Sequence, residues 1–156
     1  MRLTTFTDYS LRVLIYLAGR PGERARIAEV ASAFDISEHH VVKVVQFLGR
    51  EGFLRNTRGR GGGMQLAAAP SAINIGRVVR LAEGEDRLAE CFDTETNACC
   101  LAGACRMAHV LDEARQAFYA TLERYTLEDL RVPAPKLAAA LRFQPRERLL
   151  YSGSEP

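Results

Sequence analysis

The sequence predicts a mainly α-helical fold with one small β-hairpin, arranged as a winged helix-turn-helix that leads into a single long helix. Three observations predict it. A short apolar-periodic segment, a tight polar turn and a longer apolar-periodic segment follow one another over residues 26–52. Immediately afterwards, FLRNTRGRGGGMQLA alternates apolar and polar residues on both sides of a glycine-rich centre. Farther along, MAHVLDEARQAFYATLERY carries apolar residues at alternating steps of four and three.

Taken in order, FTDYSLRVLIYLAGRPG reads as the first helix: Leu11, Leu14, Ile15 and Leu17 recur near helical spacing, Thr7 is placed to cap it, and Gly19 with Pro21 ends it. RIAEVASAF supplies a short second helix through Ile27, Val30, Ala31 and Phe34. After the turn DIS comes a third helix, EHHVVKVVQFLGREG, with Ser37 as its cap. Its Val41, Val44, Val45 and Leu48 share one face, so His39, Val42, Lys43 and Gln46 point the other way. That second face suits a major groove, with His39 and Lys43 as base-reading candidates and His40 beside them in the first turn.

The hairpin that follows is the wing. Arg55, Arg58 and Arg60 have almost no local acid to neutralise them, and the intervening glycines let the backbone approach a phosphate chain or a minor groove. A solvated hairpin tip is the plainer reading of such a charge run; its position directly after a helix-turn-helix favours nucleic-acid contact. Pro70 and Ser71 are expected to open the next helix, AINIGRVVRLAEG, with Ile75, Val78, Val79 and Ala82 facing the core. The long helix then presents Met107, Leu111, Ala114, Phe118, Thr121 and Tyr125 as a heptad seam. Either it packs on its own domain or it pairs with a second copy; a two-fold reader of a palindromic DNA site favours the pair. TLEDL reads as a short capped turn, and the last twenty-five residues as a poorly ordered tail. The expected divisions are residues 1–83 for the winged helix-turn-helix, 84–106 for a cysteine-bearing loop, 107–131 for the dimerisation helix and its turn, and 132–156 for the tail.

Length and charge bound the function. At 156 residues the chain matches one domain with room for its own core. Its net charge of +2 hides a split: residues 1–80 hold 12 basic and 6 acidic side chains, the remainder 9 and 13. A net of +6 against −4 points to a nucleic-acid-facing half joined to a half with another task. MRLTTFTDYS lacks the apolar run of a signal peptide and no apolar segment is long enough to span a bilayer, so a cytoplasmic protein with no membrane partner is expected. An enzyme is not expected, because no histidine or acid stands in clear pairing with a thiol.

All four cysteines lie in ECFDTETNACCLAGACRMAHVL. In a reducing compartment, thiols gathered this way are metal-binding or redox-active more often than a disulfide framework. Cys91, Cys99 and Cys105 enclose a loop long enough to wrap a bulky cofactor, unlike the C-x-x-C knuckles that hold one zinc ion, while Cys100 beside Cys99 is poorly placed to share the same metal. Four readings remain open on spacing: three thiolates plus a fourth ligand around an iron–sulfur cluster, a zinc site of Cys91, Cys99, Cys105 and His109, a thiol redox switch, or packing cysteines. Cys105 and His109, four residues apart, are expected on one helix face.

Together, MRLTTFTDYSLRVLIYLA, ISEHHVVKVVQFLGREGFL, RGRGGGMQL followed by INIGRVV, and the three-cysteine loop resemble the NsrR-type nitric-oxide-sensing repressors, within the winged-helix iron–sulfur regulator family that also includes IscR-type proteins. The resemblance runs in order over residues 1–131. It implies a homodimeric transcriptional repressor bound to a palindromic operator, with one iron–sulfur cluster per subunit, [2Fe–2S] or [4Fe–4S], and nitric oxide as the signal that releases DNA. It implies Cys91, Cys99 and Cys105 as ligands, with Asp8 of the FTDY motif supplied by the partner subunit; Asp8 also suits the positive end of the first helix. IscR-type proteins carry a ligating histidine three residues after the last cysteine, where this chain has Ala108. Redox state or iron–sulfur supply as the signal, or a zinc or thiol switch in place of the cluster, are the alternatives within the same family.

Overall fold

A computed structural model describes residues 2–59, 61–84, 89, 92, 97–100 and 105–142. The described chain forms six α-helices and one two-stranded sheet: α1 (Thr5–Ala18), α2 (Ile27–Phe34), α3 (Glu38–Arg50), β1 (Leu54–Thr57), β2 (Gly63–Leu66), α4 (Ile75–Glu83), α5 (Arg106–Leu122) and α6 (Ala134–Arg142). This is the mainly helical, winged architecture that the sequence predicts.

The core is built around α1. Val13, Leu14, Leu17 and Ala18 are buried against the inward faces of α3 (Val41, Val44, Leu48) and α4 (Val78, Val79). Phe6 meets Phe47 edge-on at 5.2 Å, and Tyr16 meets Phe34 at 6.0 Å. The buried hydroxyls are satisfied locally: Ser10 Oγ donates to the Phe6 carbonyl at 2.8 Å, and Thr7 Oγ1 lies 3.0 Å from Thr4 Oγ1.

The cap of α1 differs from expectation. Thr4, not Thr7, caps it, its Oγ1 accepting the Thr7 N–H at 3.2 Å. The helix begins at Thr5, which carries Thr7 round to the buried face. Between α2 and α3, Asp35 adopts a left-handed conformation (φ 54°) and Ser37 caps α3 as anticipated, which closes the tight turn of a helix-turn-helix.

The wing pairs antiparallel in the register Leu54–Leu66, Arg55–Gln65, Asn56–Met64 and Thr57–Gly63. Gly59 and Gly61 take positive φ (91° and 79°) in the connection, a conformation that glycine adopts without steric penalty. Ala25, just before α2, bridges to Met64 on the free edge of β2.

The single helix expected from Pro70 is interrupted. Pro70–Ala72 form a 3₁₀ turn, the chain then extends, and Asn74 caps α4 with Oδ1 accepting the Arg77 N–H at 2.9 Å. The extension has a tertiary cause: Leu127 N–H donates to Ile73 O at 2.8 Å and Ile75 N–H to Tyr125 O at 3.0 Å, so residues 73–75 pair with the segment after α5. That pairing also ends α5 at Leu122, leaving Tyr125 outside the helix. TLEDL is a capped turn as expected, Asp129 Oδ2 accepting from Thr126 N–H (2.7 Å) and Oγ1–H (2.8 Å) above a fully buried Leu127. The tail needs correction over its first part. Residues 134–142 form α6, and Leu137 is buried against Gly19, where a Cβ would stand 2.7 Å from the leucine.

Candidate nucleic-acid interface and metal centre

The third helix presents the predicted polar face. His39, Lys43 and Gln46 are exposed while Val41, Val44, Val45 and Leu48 are buried, so one amphipathic segment both anchors the helix and offers its outer side. Arg50, one turn beyond Gln46, extends the same exposed row and was not singled out from the sequence. Ser37 and His40 form a unit: Ser37 Oγ accepts the His40 N–H at 3.4 Å and lies 3.0 Å from His40 Nδ1, and the His40 ring sits 5.9 Å from that of Tyr9 on α1. His40 is thus held back toward the helix start, whereas His39 and Lys43 project from the exposed row.

The wing lies beside this helix. Asn56 Nδ2 donates to Val45 O at 3.3 Å and rests over Gly49, where a Cβ would come within 2.6 Å of it. Arg55, paired across the sheet with Gln65, and Arg58 at the start of the tip are both exposed; Arg60 lies outside the described residues. Between α3 and the wing opens a cleft of about 550 Å³, walled by Val42, Val45, Gln46, Asn56, Thr57 and Arg58. Arg24 and Arg26 flank the Ala25–Met64 bridge and add two exposed cations beside the wing. Only their alternation in GERAR, within the positively charged half, hinted at them.

The thiol segment joins α4 to α5. Cys91 lies outside the described residues. Cys99 and Cys105 are free and partly buried, and Cys100 is free and exposed. Cys99 N–H donates to Asn97 Oδ1 at 3.0 Å, and Cys105 occupies the N-cap of α5 (φ −80°, ψ 108°). Cys105 stands just outside the helix as its N-cap, and the exposed His109 lies in the first turns of α5. Asp8 sits in the first turn of α1, half exposed and paired with Arg12 at 2.9 Å. Among the described residues no three such ligands gather.

The donors present nonetheless suit a metal cluster in kind: two partly buried free thiols, of which Cys105 stands at the N-terminal end of α5, where helix dipoles favour negative charge, and a carboxylate within reach of solvent on another helix. The surroundings hold these elements together. Glu83 at the end of α4 accepts from Thr4 N–H at 2.9 Å and Thr4 Oγ1–H at 3.1 Å, which ties the start of α1 to the point where the thiol segment departs. Phe92 lies 5.6 Å from the guanidinium of Arg115, itself bound to Asp112 at 2.6 Å. That hydrogen bond holds the Asp112 carboxyl below the usual carboxylate range.

A helix-turn-helix with an exposed polar recognition face and an adjoining arginine-bearing hairpin defines a winged-helix transcriptional regulator, not an enzyme. Residues 3–132 match the Rrf2 family model, described as iron-dependent transcriptional regulators. The chain belongs to the Rrf2 family. It is 49% identical over 131 residues to the HTH-type transcriptional regulator NsrR of Bacillus subtilis, covering 83% of this chain and 90% of that protein. It is 45% identical over 146 residues to the NsrR of Halalkalibacterium halodurans, covering 93% and 100%. Among solved structures, CymR, the global cysteine regulator of B. subtilis, superposes with a TM-score of 0.67 at 26% identity, covering 87% of this chain and 98% of that one. No helix among the described residues is long and apolar enough to cross a membrane.

Proposed function

We propose that this protein is a cytoplasmic, homodimeric repressor that binds a palindromic operator and releases it when nitric oxide reaches an iron–sulfur cluster held by Cys91, Cys99, Cys105 and Asp8 of the partner subunit. The observation that supports this reading is the free thiol of Cys105 at the start of α5, on a helix whose opposite end is packed on the reading head, together with relatives named NsrR. When bound, such a cluster supplies iron atoms that nitric oxide attacks, most readily where a weak carboxylate is the ligand.

The protein's own residues convert ligand occupancy into DNA affinity. Cys105 stands at the start of α5, while Arg80, on α4, lies 4.2 Å from the Tyr119 ring and pairs with Glu123 at 2.7 Å at its other end. Asp8 ties in α1, which packs on α3. Holding both ends of this frame across a dimer sets the spacing of two recognition helices; releasing one end relaxes it. A hundredfold fall in operator affinity requires about 2.7 kcal/mol of coupling, within the ordinary allosteric range. On the DNA side, His39 and Lys43 read the major groove, with Ser37 and His40 shaping the helix start. Arg55, Arg58 and Arg60 contact phosphate or the minor groove.

The test is anaerobic purification followed by selection of bound duplexes from random sequence, with and without nitric oxide. Iron with acid-labile sulfide, an inverted-repeat consensus and loss of binding on adding nitric oxide are expected. A colourless protein with stoichiometric zinc, or DNA binding indifferent to iron and nitric oxide, overturns the proposal.

A further inference from the structure

The segment before α2 reaches the wing from outside the hairpin. Ala25 N–H donates to Met64 O at 3.0 Å and Met64 N–H to Ala25 O at 2.9 Å, so residues 24–26 add a third edge to the two-stranded sheet. The approach is close: a Cβ on Gly63 would stand 2.8 Å from Ala25 O and 3.3 Å from the Cβ of Arg24. From this edge Arg24 extends to the glycine-rich tip, Nη1 donating to Gly61 O at 3.2 Å.

An isolated two-stranded hairpin is marginal in water, and glycines lose more freedom than other residues when they are ordered. Within the tip, among the described residues, Gly62 N–H donates to Gly59 O at 2.9 Å. Arg24 is exposed, and among the described residues no carboxylate pairs with it. Its guanidinium has five donor hydrogens, and one bond to a carbonyl leaves the others available to a further acceptor.

We infer that Arg24 is a positioning residue for DNA binding: it braces the wing tip through Gly61 so that the tip arginines meet the duplex already ordered. The inference rests on the DNA-binding reading above. Bracing before contact lowers the entropy lost on binding, so Arg24 acts through Arg58 as well as through its own charge.

The test uses the full chain isolated anaerobically, its Arg24→Ala variant and its Arg58→Ala variant. Hydrogen exchange of the Gly62 and Met64 amides is read without DNA, and affinity for a mixed-sequence duplex is read across a salt series. Arg24→Ala should speed exchange at both amides at least severalfold while leaving the urea midpoint unchanged. It should also reduce the slope of log affinity against log salt by clearly more than the ~0.9 that one lost phosphate contact accounts for. Unchanged exchange, or a slope reduction no larger than that of a single contact, overturns the brace. If the unaltered protein shows no salt-dependent duplex binding, the DNA-binding reading fails, and the exchange data still judge the contact to the tip.

Discussion

Gly76 on α4 lies flat against Glu123 at the end of α5: a Cβ at Gly76 would stand 2.7 Å from the Glu123 amide nitrogen and 2.9 Å from its Cα. Asn74 Nδ2 donates to Glu123 O at 2.6 Å beside it, so the backbone that a methyl group would strike is pinned and cannot give way. Alanine in a helix is favoured over glycine by up to ~1 kcal/mol, but overpacking a fixed contact costs about 1–3 kcal/mol, and here the contact wins. Gly76→Ala should therefore lower the urea midpoint.

The thiols divide into two groups. Cys99 and Cys105 are proposed as ligands, and Cys100, next to Cys99 in the chain, is exposed. Replacing Cys105 or Cys99 by serine should abolish retention of iron and acid-labile sulfide during anaerobic purification, while Cys100→Ser should retain both. Equal losses at positions 99 and 100 would mean that the two neighbours exchange roles.

Lys43 stands on the exposed face of α3 and Arg58 on the wing, and their expected effects differ in kind. Lys43→Ala should relax sequence preference, lowering discrimination at one base pair by ~1–3 kcal/mol. Arg58→Ala should weaken all duplexes alike and flatten the salt dependence. Binding measured against one selected operator and one scrambled duplex over several salt concentrations separates the two. Equal loss of specificity in both variants would show that the division is wrong.

Asp129 links the capped turn to acid stability. Hydrogen bonds from the Thr126 backbone N–H and then its hydroxyl hold the carboxyl below the usual carboxylate range. A depressed folded-state value contributes stability that is present above the unfolded value, ~3.9, and lost as pH falls through the folded one. Asp129→Asn should therefore unfold more readily than the unaltered protein at neutral pH, with the two urea midpoints converging in acid. A midpoint difference that persists at the lowest pH would assign the effect to packing of the turn.

The helices that order the reading head were legible because their apolar residues recur at the helical period and meet one core: Leu14 and Leu17, then Val41, Val44 and Leu48, are buried as their spacing requires. What escaped depends on partners distant in sequence. Thr4 and Thr7 are equally good caps until burial of the α1 face chooses between them. The break at Ile73 comes from pairing with Leu127, and α6 forms where Leu137 finds Gly19 across more than one hundred residues. Arg24 was invisible for the same reason, since its partner Gly61 is thirty-seven positions away. The ligand set is harder still: spacing gathers three thiols, but the carboxylate enters only through resemblance, and Cys91 lies outside the described residues.

The seam of α5 sets the last expectation. Tyr119 is fully buried, and Phe118 and Leu122 lean on the core, so the end of the helix packs on its own domain. Toward its start the apolar side chains face outward, Met107 at 60% and Val110 at 58% exposure. A neighbouring copy laid along this half would cover both and bring its Asp8 within the same assembly as Cys99 and Cys105. A charge in the middle of such an interface has no compensating partner, so Val110→Glu should weaken dimerisation by ~2 kcal/mol or more, about thirtyfold. Sedimentation velocity over a concentration series reads the equilibrium directly, and iron content of the same samples should fall with the dimer. An unchanged equilibrium would remove the exposed face around Val110 from the interface, and retained iron in a monomeric variant would remove Asp8 of the partner subunit from the ligand set.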